Sequence, residues 1–302
     1  MSTVAALEKE IKMQLDFLKR FVPQRTMSIS KQKKAIFCGT GDSFASAQLA
    51  EAFSQFRAKA HDPLDLVKNR KMLSGHDLYL VSISGNTVSN IRLGRLCTRT
   101  VAITANGNSK LARACKKVIL LKFDSTGIQT AGSISFLASA LACLSLVSRY
   151  EIRNVSGIYR AATNAAKKIS LGGKIYVLGN LQTMPIAMFC AAKLYETIGA
   201  DAHYARIEQF SHMELFSARK GDTVILFDTK NPYNEKLSKT LKNYGLVTNR
   251  PDPKTRNFQE QILFFIFVSE LIALYAAKKK GKKDCFFVEE KRLRNASSSM
   301  IY

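Results

Sequence analysis

No two cysteines in this chain are spaced as CxxC. The six, Cys38, Cys97, Cys115, Cys143, Cys190 and Cys285, are scattered, and the four histidines form no ligand spacing with them. Neither a zinc site nor a disulfide framework is therefore expected, and the chain reads as a protein of a reducing cytoplasm. A basic leader followed by an apolar core is also missing. Met1 runs into the amphipathic pattern Val4, Leu7, Ile11, Leu15 and Leu18, so no signal peptide is expected. Long unbroken apolar runs are absent as well: residues 134–147 are too few to span a bilayer, and residues 258–277 are interrupted by Gln259, Glu260, Gln261 and Glu270. Both read as buried helices, and no membrane partner follows. Acidic residues are the remaining scarcity, with 23 Asp+Glu against 46 Lys+Arg in 302 residues, a net charge of +23. At 46% hydrophobic and 23% charged the composition is otherwise globular, which excludes disorder and collagen, and the charge favours anionic partners.

What the chain does contain is a regular alternation. After an opening helix and a polar linker to residue 33, short apolar runs at 34–38, 78–83, 101–104 and 118–123 read as strands separated by helix-length segments. Strand, helix, strand in that order implies parallel strands with right-handed crossovers and helices on both faces. A linker helix at 160–169 and the turn Gly172-Gly173 precede a second unit, with strands at 174–179 and 223–227 and helices near 234–244 and 258–277. The pattern strand, Gly39, helix is echoed about 140 residues later by strand, Gly179, helix. The expectation is an α/β protein of two doubly wound, flavodoxin-like parallel-sheet subdomains, 34–150 and 151–302, preceded by a helix and linker over 1–33.

Two loops of the first half carry ligand-binding character. Gly39-Thr40-Gly41-Asp42-Ser43 follows the first strand and opens a helix near Phe44, so two glycines bring backbone N–H groups close to an anion. The third glycine of a dinucleotide fingerprint and the lysine of a P-loop are both lacking. The second strand runs into Ser82-Ile83-Ser84-Gly85-Asn86-Thr87, where three hydroxyls and a glycine offer neutral donors in one nest suited to phosphate. The alternative is that Ser84 or Thr87 caps the next helix. In the second half Asp228-Thr229-Lys230-Asn231-Pro232 occupies the corresponding loop without a serine pair or glycine. Lys193 and Glu196, three apart on one helical face, can enter one cleft or form a surface ion pair. His212 lies in Glu208-Gln209-Phe210-Ser211-His212, and His203 falls between the two. His61 and His76 read as polar connections, and the run 278–283 as a basic cap at the end of the long helix.

These motifs resemble the sugar isomerase (SIS) domain family. Cys38-Gly39-Thr40 with its following Ser43 is similar to the first loop of the isomerase half of glucosamine-6-phosphate synthase. Ser82-x-Ser84-Gly85-x-Thr87 resembles the family's phosphate signature, and Asn86 brings it nearer the archaeal phosphoglucose/phosphomannose isomerases. Asn106 to Ala112 and the loop from Gly127 to Ser133 are similar to further family segments, the latter adding the Ser133 hydroxyl. The family uses a Glu on a helix and a His sixteen residues later, and 196 plus 16 is 212.

The resemblance implies a metal-independent, cofactor-free aldose–ketose isomerase of hexose 6-phosphates, with Glu196 as base, His212 as ring-opening acid/base and Lys193 beside them. It further implies phosphate binding by Ser82, Ser84, Gly85, Asn86, Thr87 and Ser133, and substrate contacts from Gly39, Thr40, Gly41 and Ser43. A homodimer with His212 donated by the partner is expected, and nucleic acid is not an expected partner. An amino-sugar phosphate deaminase or deglycase is the alternative. Met213-Glu214 stands where that branch has Gly-Pro, the tail at 294–299 lacks its lysine, and no glutaminase segment precedes the first strand. A non-catalytic sugar-phosphate sensor is the third reading; the presence of both Glu196 and His212 opposes it.

Overall fold

The structure, a computed structural model, describes residues 1–228 and 231–301; Thr229 and Lys230 of the second-half loop lie outside the described residues. Among the described residues nine strands form two wholly parallel sheets. They are β1 Ala35–Cys38, β2 Lys59–His61, β3 Asp77–Val81, β4 Thr100–Thr104, β5 Lys117–Leu120, β6 Ile175–Gly179, β7 Ala202–Arg206, β8 Thr223–Phe227 and β9 Val247–Asn249. The first sheet has the order β2-β1-β3-β4-β5 and the second β7-β6-β8-β9. Both are doubly wound, with the strand order reversing between β1 and β3 in one and between β6 and β8 in the other.

Three strands were not anticipated, and all three are edges. β2 and β9 have no buried residue and β7 has one, so none carries the apolar run of a central strand. His61 accordingly ends a strand and does not lie in a connection, and His203 lies in β7. The helix expected near Phe44 begins at Asp42, the linker helix is Val155–Ala166, and β3 stops at Val81, which leaves Ser82 just beyond the strand.

The chain divides into two compact units that are discontinuous in sequence. One comprises residues 16–126, 132–150 and 291–301 and holds the five-stranded sheet. Side chains alternate across β1: Ala35 and Phe37 face a cluster with Ala47, Ala50, Ala142 and Cys143, whereas Ile36 and Cys38 face Leu66, Ile91 and Leu111. Alanine-rich surfaces let the helices Asp42–Phe53 and Ile134–Val147 approach closely, with the Ser46 and Ser139 hydroxyls 2.9 Å apart.

The other unit comprises residues 1–15, 127–131 and 151–290 and holds the four-stranded sheet. Tyr176, Leu178, Val224 and Leu226 pack with Phe210 and Leu241 on one face. On the other, Phe227 stacks on Phe265 of the helix Phe258–Lys279, ring centroids 4.8 Å apart. That helix is long and apolar enough to cross a membrane, but 83% of its apolar window is buried within the fold. Its polar interruptions have local uses. Gln259 accepts from the Glu151 N–H at 2.9 Å, Gln261 donates to the Thr255 carbonyl at 2.8 Å, and buried Glu270 takes both its oxygens to Gln14 Nε2 at 2.8 and 2.9 Å. The last pair explains why the opening residues belong with this sheet.

Candidate active site

The carboxyl ends of β1 and β3 flank the switch in strand order, where an open α/β sheet leaves a crevice. Both loops there have glycines that nothing larger can replace. A Cβ on Gly39 would stand 2.5 Å from the backbone carbon and oxygen of Ser43, so the first helical turn passes directly over it. Gly41 adopts φ +55° and forms the N-cap of Asp42–Phe53, while Ser43 N–H donates to the Thr40 carbonyl at 3.1 Å. After β3 the chain turns through Gly85 at φ +67°, and a Cβ there would collide with Ser109 and meet Thr104 Oγ1 at 3.1 Å.

The hydroxyls around Gly85 form a small network. Ser82 Oγ accepts from the Gly85 N–H at 3.2 Å and lies 3.1 Å from Thr87 Oγ1; Ser84 Oγ accepts from the Asn86 N–H at 3.3 Å. Ser82 and Thr87 are buried, whereas Ser84 and Asn86 are exposed at the rim. Thr87 occupies the N-cap of Val88–Leu96, yet its side chain accepts no bond from that helix, so capping is not its use. Asn90 Nδ2 donates to the Val81 carbonyl at 2.9 Å and ties the helix start to the strand end. Ser133 stands at the N-cap of Ile134–Val147, fully buried, and its Oγ has no partner among the described residues. A buried hydroxyl without a partner costs stability, which a bound anion or water would relieve.

In the other unit Lys193 is not a surface residue. Its side chain is 1% exposed, its Nζ donates to Glu196 Oε2 at 2.6 Å and to the Ala131 carbonyl at 2.8 Å, and it lies 5.0 Å from the Phe189 ring centre. Burial of an ammonium is tolerable only with such partners. Glu196 is 37% exposed, so one face of the carboxylate is fixed by a buried cation while the group stays open to a reactant. The surface ion pair considered from sequence is thereby excluded. Both residues sit near the carboxyl end of the helix Met184–Ile198, which Gly199 closes in the left-handed conformation at φ +64°.

No family model and no curated protein matches the sequence. Solved structures do match over almost the whole chain. A glucosamine-6-phosphate deaminase from Thermotoga maritima superposes with a TM-score of 0.73 at 17% identity, covering 93% of this chain and 95% of that one. The C-terminal domain of glucosamine-fructose-6-phosphate aminotransferase from Francisella tularensis gives 0.73 at 16% identity, over 94% and 97%. The tagatose-6-phosphate ketose/aldose isomerase from Escherichia coli gives 0.68 at 18% identity, over 93% and 90%. The chain has the SIS fold.

On this SIS fold the remaining sequence-selected residues separate. His212 ends the helix Ile207–His212 and is exposed, and its ring makes no hydrogen bond or ion pair with a described residue. Met213 and Phe216 beside it are 59% and 81% exposed. His203 does not approach Glu196 by any hydrogen bond: its Nε2 lies 2.8 Å from Asp201 Oδ1 and its ring stacks on Tyr176. His76 Nδ1 is 2.9 Å from the Ser74 carbonyl. The basic run after the long helix is partly paired, Lys278 with Glu8 at 2.6 Å and Lys282 with Glu289 at 2.5 Å.

Sequence reasoning missed the Ala131 carbonyl, Ser109 against Gly85, and Cys285. None carries a local motif; each acts through a contact distant in sequence. Burial pushes the Cys190 thiol up to about 12 and raises those of Cys38, Cys143 and Cys285, so none of these four is an activated nucleophile. Among the described residues no three His, Cys, Asp or Glu side chains converge as metal ligands.

Proposed function

We propose that the protein is a cytoplasmic sugar-phosphate aldose–ketose isomerase acting on hexose 6-phosphates as a homodimer. The observation that carries this reading is Glu196, a carboxylate partly open to solvent and fixed at 2.6 Å by the buried ammonium of Lys193. Isomerisation moves a proton between C1 and C2 of an open-chain sugar. It needs one base that takes the proton from one carbon and returns it to the other, through an enediolate. Glu196 is that base, and Lys193 holds its orientation. His212, exposed and unengaged, opens the sugar ring and is supplied by the partner protomer.

The phosphate is held by Ser82, Ser84, Thr87 and Ser133 with the backbone at Gly85 and Asn86, and the Gly39-Thr40-Gly41 turn with Ser43 lies against the substrate. These are neutral donors, which bind a dianion through hydrogen bonds. The excess of lysine and arginine supplies the long-range attraction. Of the similar structures one is by name a glucosamine-6-phosphate deaminase, one the C-terminal domain of a glucosamine-fructose-6-phosphate aminotransferase and one a ketose/aldose isomerase, which makes amino-sugar phosphate deamination the competing reaction.

The deciding experiment incubates the purified protein with fructose 6-phosphate, with and without ammonia, and follows the products by NMR. Glucose or mannose 6-phosphate without ammonia supports the isomerase; glucosamine 6-phosphate formed only with ammonia moves the assignment to a deaminase. Glu196→Gln keeps shape and polarity but removes the base, so turnover falls about 100-fold or more while substrate still binds. Undiminished deuterium exchange at C1 or C2 in that variant would transfer the role to another residue.

A further inference from the structure

The five-stranded sheet ends on one side in an open strand. β5 pairs with β4 along one edge, and among the described residues no strand lies on its other side. Leu121 N–H donates to the Thr104 carbonyl at 2.9 Å, so the alternation of a strand turns the N–H and C=O groups of Val118 and Leu120 away from β4. The side chains of these two residues are 42% and 45% exposed. Apolar side chains and outward backbone groups thus share one uncovered edge, which invites another strand to pair there. The opposite edge, β2, is three residues long and exposes no large apolar side chain.

The charge around β5 has one sign. From Leu78 to Phe123, through β3, β4, β5 and the helices between them, the chain holds four arginines and four lysines and no aspartate or glutamate. Arg99 is paired with Asp77. Lys110 and Arg113 on the helix leading to β5, Lys116 and Lys117 at its start and Lys122 beyond its end are exposed, and none meets a carboxylate among the described residues.

These features discriminate among occupants. A second copy paired antiparallel along the same edge would bring the lysines against one another, a like-charge contact that opposes pairing. A nucleic acid would meet the cations with phosphate but has no strand backbone to complete the ladder and nothing to cover the apolar pair. An extended peptide rich in Asp and Glu meets all three demands. Its backbone continues the ladder, its apolar side chains lie over Val118 and Leu120, and its carboxylates reach the lysines at both ends. We propose that β5 is a docking edge for an acidic, extended segment of a partner protein, which adds to the sheet as a further strand. The surface is independent of the chemistry at Glu196.

The test uses 15N-labelled full-length protein and the synthetic peptide Ac-EVEVEVE-amide, with Ac-KVKVKVK-amide as the charge-reversed control and an oligothymidylate as a polyanion without a peptide backbone. Amide hydrogen exchange at Val118 and Leu120 reads strand addition directly, because both N–H groups point outward. With the acidic peptide at about 1 mM in low salt, exchange at both amides slows about tenfold or more. Lys117→Glu/Lys122→Glu weakens binding about tenfold or more, whereas the same reversal before β1, Lys31→Glu/Lys33→Glu, leaves affinity within about twofold. Leu120→Pro removes an outward donor at a position where an edge strand accepts proline, and the peptide no longer protects Val118. Unchanged exchange at Val118 and Leu120 in the wild-type protein overturns the proposal, the lysines then serving only to keep the edge from pairing with itself. Equal protection by the lysine peptide overturns it as well, and so does binding of the oligothymidylate without binding of the acidic peptide, which would make this a nucleic-acid surface. If Leu120→Pro does not fold, the wild-type exchange and the two charge reversals decide the question.

Discussion

The two sheets begin alike and then part. Each opens with a strand running into glycine, Gly39 after β1 and Gly179 at the end of β6, and in each the first turn of the following helix crosses that glycine. A Cβ would stand 2.5 Å from the Ser43 backbone in the first and 2.7 Å from the Thr183 backbone in the second. Two residues on, both chains take a positive φ, +55° at Gly41 and +45° at Leu181. The divergence comes at the next strand of the switch: β3 delivers Ser82 to Thr87, whereas β8 delivers Asp228, whose carboxylate accepts from Asn234 Nδ2 at 2.9 Å. The second sheet has its buried ammonium and its partly open carboxylate near the opposite end of the helix Met184–Ile198, at Lys193 and Glu196. A shared strand-to-helix turn is thus a structural device, and the two sheets differ in the polar groups placed at different points around it.

The sharpest test of this comparison is to fill both glycines. Gly39→Ala and Gly179→Ala each press a methyl group into helix backbone, which cannot rotate away as a side chain can. Each variant is expected to lose about 3 kcal/mol of stability in denaturant unfolding. If Gly179→Ala proved harmless while Gly39→Ala did not, the echo between the sheets would be one of sequence only.

Next in size is the difference that follows the turn. Ser84 is exposed, and among the described residues its side chain bonds only with Asn86 N–H, at 3.3 Å, so Ser84→Ala leaves folding intact. Affinity for a hexose 6-phosphate is expected to weaken by about 1–3 kcal/mol, as for a hydrogen bond to a charged group. Calorimetric titration with unchanged affinity would remove Ser84 from the phosphate site and reduce the contrast between the two sheets.

What sequence could show divides along the same lines. Central strands β1, β3, β4, β6 and β8 were legible because burial on both faces forces an apolar run, while β2, β7 and β9 were not, since a solvent-facing edge has no such requirement. β5 is the edge that was legible, its Val118, Ile119 and Leu120 being apolar although largely exposed. The serine-rich loop declared itself because its residues are contiguous. Lys193 and Glu196 were readable as a pair by helical spacing, but the burial of Lys193 was not, because it depends on Ala131, sixty-two residues away. The same limit hid the placement of residues 1–15 with the four-stranded sheet, which rests on Gln14 with Glu270 and Thr3 with Asp284.

The smallest effect concerns the third position of the shared turn. Gly41 meets its positive φ at no steric cost, but Leu181 holds φ +45° with a Cβ in place, a conformation that costs an L-residue about 1–2 kcal/mol. It is kept there by the reciprocal bonds of Asn180 and Thr183 on either side, the Thr183 hydroxyl accepting from Asn180 N–H at 2.9 Å and the Asn180 carbonyl accepting from Thr183 N–H at 2.8 Å. Leu181 is 52% exposed, so trimming it sacrifices little buried apolar surface. Leu181→Gly relieves the strain but adds the roughly 0.5–1 kcal/mol of chain entropy that glycine surrenders on folding. The balance is a small gain, about 0.5 kcal/mol, and its sign is the prediction: strain relief exceeds entropy loss. Urea unfolding of Leu181→Gly beside wild type reads that sign. A net loss would mean that the exposed leucine makes a stabilising contact outweighing its backbone strain, and the second turn would then be a site with its own use and not a strained copy of the first.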